Sequence, residues 1–385
     1  MENRVKVSLV IPTYNSKDLV APCLVSLNHQ RLDEADEFEV VLVDDGSTDG
    51  TGEVVDSLPL TYRIRRVYVP RTEKSCRSAA RNAGIRAADG ELIVFVDGDQ
   101  IIDPLFVQEH IRCHRGRPAI VAIGFRDYQA PGAVDLALLE RSFTPEAFPP
   151  VADQDERAQV TATLSQNMGN LATGWHFFYG CNVSVRKEHL LAVGGFDENI
   201  QKWSFEDVEL GYRLHRRGLA FVHNLYSRVY HQFHPESDQE RYADWRENFE
   251  YFTSKHPELE VRLQWVLDSY FDPGRTSRPS WFDAYLRFEF ACRAVAERLP
   301  IGHSYEVLVV DADNLDSAER EIARVGAAHD LIVVDITDDR ELPTAVQAMR
   351  TGRELLYFKE PSPELLQQAA KSFGCAALLK YAAEV

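Results

Sequence analysis

Apolar runs rich in valine, isoleucine and leucine recur through the first 125 residues, at Val5–Ile11, Glu39–Val43, Tyr62–Val69 and Glu91–Val96, with helix-like stretches between them. That alternation predicts βαβ units and a largely parallel sheet. The rhythm breaks from Arg126 to Thr173, where Pro131, Pro145, Pro149 and Pro150 sit among polar and acidic residues. An insertion with mobile loops over a site is expected there. Regular patterning returns at Trp175–Val185, then in a helix near Glu206–Arg217 that Gly218 would end, then in a strand-like run from Ala220 to Tyr230. From Asp238 to about Leu299 the pattern is helical and rich in aromatics, among them Trp245, Phe249, Phe252 and Trp265, whose expected role is packing. After Pro300 the alternation resumes, with strands near Glu306–Val310, Leu331–Val334, Glu354–Phe358 and Ala376–Leu379. The expectation is an α/β chain in four parts: residues 1–125, residues 126–235 with the insertion 126–173, a helical extension over 236–299 and a small α/β domain over 300–385.

Composition narrows the partners. The 385 residues carry 42 Lys and Arg against 60 Asp and Glu, a net charge of −18, with 45% apolar residues. Such a chain can bury a core, and disorder is not its main state. Its charge repels phosphate backbones and anionic lipid surfaces, and no basic patch relieves it, so no nucleic-acid partner is expected. No apolar run approaches the roughly 20 residues that span a bilayer, so no transmembrane segment is expected. The charged start, Met1 to Lys6, lacks the features of a signal peptide, and a cytoplasmic location is expected. Six scattered cysteines form no CxxC pair and read as reduced core thiols.

In open parallel α/β sheets, ligands lie beyond the carboxyl ends of the strands. Three such ends carry polar clusters: Pro12-Thr13-Tyr14-Asn15, Asp44-Asp45-Gly46-Ser47-Thr48-Asp49 and Asp97-Gly98-Asp99-Gln100. Each alone also suits an ordinary turn; three on one edge point to function. Asp97 and Asp99 are spaced so that two carboxylates can reach one oxygen-preferring divalent cation. A cation would reconcile a nucleoside diphosphate with a pocket of carboxylates.

Glu206 and Asp207 stand at the start of a predicted helix, just after Ser204. One reading is a capping box made by Ser204 and Asp207. The other is a carboxylate that takes a proton from an acceptor hydroxyl while its neighbour holds the acceptor. The two are compatible, and a helix N-terminus would keep such a carboxylate ionised. His231 and His234 follow a strand-like run, and one imidazole, His231 ahead of His234, could complete an oxygen-rich sphere that favours Mn²⁺ over Mg²⁺. Arg71, Lys74, Arg77 and Arg81 form a basic cluster: either a solvated helix face, or one from which Arg81 reaches a phosphate.

Taken together, Val7-Ser8-Leu9-Val10-Ile11-Pro12-Thr13-Tyr14-Asn15, Val43-Asp44-Asp45-Gly46-Ser47-Thr48-Asp49, Ala80-Arg81-Asn82-Ala83-Gly84, Asp97-Gly98-Asp99 and Glu206-Asp207 resemble, in content and order, the family 2 glycosyltransferases. The resemblance covers roughly residues 5–255. The stretch from Gly194-Gly195-Phe196-Asp197 to Gly211-Tyr212-Arg213-Leu214 further resembles the acceptor-side module of galactosyl- and N-acetylgalactosaminyl-transferases and chondroitin-type polymerases.

The resemblance implies a GT-A fold, Rossmann-like with a mostly parallel sheet. It implies a nucleotide-sugar-binding half over 1–125 and an acceptor-binding half over 126–235. It also implies inverting transfer from a UDP-sugar donor with Mn²⁺ or Mg²⁺ as cofactor, and the missing membrane helices and missing Gln-x-x-Arg-Trp motif make non-processive transfer the expectation. By position, Pro12, Thr13, Tyr14 and Asp44 would hold uracil and ribose, and Arg81 would sit near the base or diphosphate. Asp97 would contact ribose or donor sugar, and Asp99 would bind metal with His231. Asp207 would be the base, Glu206 and Trp203 would line the acceptor or donor sugar, and Gly180 and Asn182 would line the sugar pocket. Similar enzymes often have Trp-Gly-Gly-Glu-Asp where this chain has Trp203-Ser204-Phe205-Glu206-Asp207, so the acceptor, whether glycan, peptide or small metabolite, does not carry over.

Rival readings meet specific obstacles. A sugar-phosphate nucleotidyltransferase opens with a Gly-rich basic loop, which Ile11-Pro12-Thr13-Tyr14 is not. A regulatory module with a decayed site would not keep Asp44, Asp99 and Glu206-Asp207 together. For residues 300–385, which match no known motif, the expectation is either self-association into a homo-oligomer or recruitment of a carrier or peptide acceptor.

Overall fold

The computed structural model describes residues 5–163, 167–235, 238–275, 277–296, 305–337, 346, 355–359 and 368. They divide into two compact units, the first drawn from 1–161, 166–169 and 174–237, the second from 162–165, 170–173 and 238–385.

The chain begins with β1 (Lys6–Thr13), α1 (Lys17–Ser26), β2 (Glu37–Asp44), α2 (Thr51–Ser57), β3 (Arg63–Tyr68), α3 (Arg77–Ala87) and β4 (Leu92–Val96). It continues through the short β5 (Gln100–Ile102), α4 (Phe106–His114), β6 (Ile120–Gln129), α5 (Leu136–Arg141), β7 (Val151–Asp153) and α6 (Arg157–Thr163). Then come β8 (Asn182–Arg186), α7 (Lys187–Ala192), α8 (Glu206–Arg216) and β9 (Ala220–His231). The sheet order is β3-β2-β1-β4-β8-β6-β9-β5, with β7 on β6. Strands β1 to β4 are mutually parallel, as are β6 and β9, while β8 runs antiparallel between the two sets. This is the α/β, Rossmann-like GT-A architecture.

Strand β4 is buried at every position, which is why it reads as a continuous apolar run rather than an alternating one. One face of the sheet packs Leu9, Leu42 and Val94 against Val20 and Leu24 of α1 and Phe106 and Ile111 of α4. On α3, a Cβ at Gly84 would lie 2.3 Å from a Val10 methyl, so glycine lets this helix press close to β1.

Two expected elements differ. The run Trp175–Val185 is not one strand: Gly174–Phe177 forms a 3₁₀ turn and the strand starts only at Asn182. Consecutive buried aromatics give no periodicity that separates strand from helical turn. The Pro-rich stretch after Arg126 is anchored at described points, with β7 paired to β6 and with Leu139 and Ala147 packed beside Val25.

The second unit holds α9 (Asp238–Lys255), α10 (Leu259–Arg262), α11 (Asp268–Phe271), α12 (Trp281–Ala296), β10 (Tyr305–Val310), α13 (Leu315–Gly326), β11 (Asp330–Asp335) and β12 (Leu355–Lys359). Trp245 packs on Phe249 and Phe271, with ring centroids 5.3 and 5.0 Å apart. The three strands are parallel in the order β10-β11-β12, and the strand expected at Ala376–Leu379 lies outside the described residues. Arg275 bonds Asp268 at 3.0 Å and Asp311 at 2.5 Å, tying helices to strands.

Candidate active site

The β1 and β2 ends are laced together. The Asp45 N–H donates to the Thr13 carbonyl at 2.9 Å, and Asn15 accepts from the Thr48 N–H at 2.9 Å. The Asp44 carboxylate accepts from the Ser47 N–H at 2.8 Å. Thr13 and Asp44 are buried and Pro12 half-buried, while Tyr14 stands exposed with the Arg71 guanidinium 3.7 Å from its ring centroid. The four residues expected around a nucleotide base and ribose therefore share one edge.

Arg81 lies beside them, but its charge is directed inward. Its guanidinium is buried and gives one Nη to Glu206 and the other to Asp97, both at 3.0 Å. A Cβ at Gly180 would sit 2.8 Å from that guanidinium, so glycine is required for the closeness. The two Arg81 Nη groups are held by carboxylates, while its buried Nε has no hydrogen-bond partner. Asp97 accepts from Arg81 through Oδ1, and the group around Asp99 consists of His231 and His234.

Asp207 accepts from the N–H of Gly180 at 3.1 Å and of Val208 at 2.8 Å. Burial pushes its carboxyl up, Glu206 adds to the rise, Arg81 and the two N–H groups pull back, and the result is about 7. The helix N-terminus does not keep it as a low-pKa carboxylate, because loss of water outweighs the dipole. Ser204 and Phe205 both adopt left-handed backbone, φ 76° and 71°, and Phe205, not Ser204, caps α8. These are the two positions where similar enzymes often carry glycine, and Phe205 is buried. Trp203, half-buried, leads into the turn.

Asp99 meets two histidines. Pairing of β5 with β9 sets Gln100 opposite His231, and the Asp99 Oδ2 lies 3.5 Å from His231 Nε2 and 3.3 Å from His234 Nε2. Burial raises the Asp99 carboxyl, yet bonds and charge from both imidazoles hold it well below the usual carboxylate range. One ligand atom from each of the three falls within 4.8 Å of the others, and the buried Asp99 Oδ1 has no hydrogen-bond partner. An oxygen-and-nitrogen set with an orphaned carboxylate oxygen fits a divalent transition ion. His234 joins this group on equal terms with His231.

Asn182 stands apart. Its amide is fully buried, bonded to His110, Ser227 and the Phe125 carbonyl, so it braces strands β6, β8 and β9 instead of facing a ligand.

Residues 8–192 match the family model for glycosyl transferase family 2, and residues 165–235 match that for the N-terminal domain of galactosyltransferase. The uncharacterized glycosyltransferase YfnE of Bacillus subtilis (strain 168) is 30% identical over 306 residues, 71% of this chain and 76% of that protein. The chain belongs to glycosyl transferase family 2. Validoxylamine A glucosyltransferase of Streptomyces hygroscopicus subsp. jinggangensis (strain 5008) is 34% identical over 269 residues, 68% of this chain but 63% of the relative, so the chain spans less than two thirds of that protein's length. The crystal structure of S. aureus TarS 1-349 in complex with UDP is a more distant likeness, at 18% identity and TM-score 0.43, covering 74% of this chain and 80% of that one.

The family 2 site also contains residues without a sequence signal. Arg157 is fully buried, holds Asp155 through Nε and Nη2 at 2.9 and 2.6 Å, and lies 4.1 Å from the Tyr179 ring centroid. Arg126 and Tyr128 of β6 join it: the Arg126 Nε donates to the Tyr128 hydroxyl at 3.0 Å, and the Tyr128 ring lies 5.5 Å from that of His231. Arginines in a Pro-rich, polar stretch match no motif, and only the β6–β9 register reveals their place.

Proposed function

We propose that this family 2 chain transfers a sugar from a UDP-sugar to a hydroxyl of an acceptor, with inversion, in one displacement. The observation that supports the reading is that Arg81 bridges Asp97, two residues before the Asp99 that meets His231 and His234, to Glu206, the neighbour of a half-buried Asp207 whose carboxyl is pushed up to about 7. Asp207 takes the proton of the acceptor hydroxyl as that oxygen bonds the anomeric carbon, and the bond to the diphosphate oxygen breaks with its electron pair going to the diphosphate. Gly180 and Val208 N–H groups hold the carboxylate in position, and Arg81 fixes Glu206 beside it. A divalent cation on Asp99, His231 and His234 would offset the charge gathering on the diphosphate. Tyr14, with Pro12, Thr13 and Asp44, offers an aromatic face and polar groups for uracil and ribose.

UDP-glucose is the first donor to test, because one relative is named a glucosyltransferase. Calorimetry should give UDP binding that needs Mn²⁺ and is lost in Asp99→Ala, and UDP should be released from one member of a UDP-sugar panel. Equal affinity with and without Mn²⁺ in the unaltered chain would remove the metal role.

A further inference from the structure

A diphosphate is the one anion the proposed reaction obliges, and the cation that the sequence offers for it keeps only a buried Nε unpaired. Arg81 is buried with both Nη atoms on carboxylates. Arg157 is spent: Asp155 takes its Nε and Nη2, and the Phe177 carbonyl takes its Nη1 at 2.8 Å. Arg126 differs. Its backbone N–H bonds Asp155 at 3.0 Å and its Nε bonds the Tyr128 hydroxyl, but among the described residues neither Nη donates to any protein group. Neither Nη belongs to the buried atoms that lack a partner; the guanidinium is half-buried, and although burial opposes its charge, Tyr128, Glu156 and Asp155 around it keep it protonated.

The location matters as much as the availability. Tyr128, which holds the Arg126 Nε, faces His231 across the β6–β9 pair. The guanidinium carbon also lies 6.0 Å from the ring centroid of Tyr179, the residue before the Gly180 N–H that holds Asp207. Arg126 is thus linked through Tyr128 to a candidate cation ligand and neighbours Tyr179, which precedes the Gly180 that holds the candidate base. Two tyrosine rings flank it and limit its swing.

We infer that Arg126 binds the donor's diphosphate, its free Nη atoms donating to phosphate oxygens as charge gathers there. The inference rests on the UDP-sugar reading above. The guanidinium keeps its protons throughout, so it contributes charge and direction but no proton.

The test compares UDP with UMP on the full chain with Mn²⁺, by calorimetry, for the unaltered protein, Arg126→Lys and Arg126→Gln. In Arg126→Gln, UDP should bind roughly ten- to a hundred-fold more weakly, as loss of a charged hydrogen bond implies, with UMP changing far less. Arg126→Lys should fall between, since it keeps the charge without the fork. Thermal melting controls for folding, and a merely structural arginine would move UDP and UMP equally. Unchanged UDP affinity in both variants, or equal losses for the two nucleotides, overturns the inference. If the unaltered chain does not bind UDP at all, the donor reading itself fails; if it binds UDP and the variants match it, only the role of Arg126 does.

Discussion

Asp207 shows how surroundings reset a side chain. Exposed at a helix start, it would be a weak base with an ordinary low pKa; half-buried beside Glu206, it loses water and is pushed up to about 7. A base must be deprotonated to act, so turnover should rise with pH through about 7 and fall below it. Asp207→Asn should lower turnover by roughly 10²–10⁴-fold while UDP affinity stays within a few-fold. A pH–rate profile flat from pH 5.5 to 8.5, or near-normal rates in the variant, would move the base elsewhere. The chemistry at this scale was partly legible: Asp99, Glu206 and Asp207 are acids at strand ends or a helix start. Arg126 was not, because it falls near the end of β6 where the apolar run gives way to polar residues and no motif marks it.

The turn before α8 puts two non-glycine residues in left-handed backbone, which costs each about 1–2 kcal/mol. Phe205 offsets its share by burying its ring; Ser204, half-buried and short, has less to recover. Ser204→Gly should therefore stabilise the chain by about 0.5–1 kcal/mol after the extra freedom of glycine in the unfolded state is counted. Urea unfolding checks this, and a lowered midpoint would mean that the serine side chain outweighs the strain. The sequence suggested a capping box here because Ser-x-x-Asp is a cap signature. The pattern is blind to φ, and the cap position itself falls on Phe205. The strands were legible for the opposite reason: β1, β2 and β4 are buried on both faces, so composition alone marks them.

Across the whole molecule, several histidines are buried without charge. Burial, aided for His114 by nearby cations, lowers His110 to about 4 and His114 to about 3, while in the unfolded chain both titrate near 6.5. The unfolded state then binds more protons below that value, so stability is retained above pH 6.5 and lost as pH falls toward 4. The expected slope is on the order of 1.4 kcal/mol per pH unit for each such histidine. Denaturant midpoints at pH 7 and pH 5 check it, and equal values would contradict the neutral buried state. The second unit was legible as strands and helices but not in extent: Arg275 binds Asp268 and Asp311 together, so helices and strands that the sequence separates near residue 300 form one body.

The β5–β9 pairing has a consequence for biogenesis. Asp99 and His231 are neighbours only through the strand that completes the first unit, so a ribosome-bound chain lacking β9 holds one ligand of the three. If the proposed cation binds there, its retention by a nascent polypeptide would mark the moment when the first unit closes.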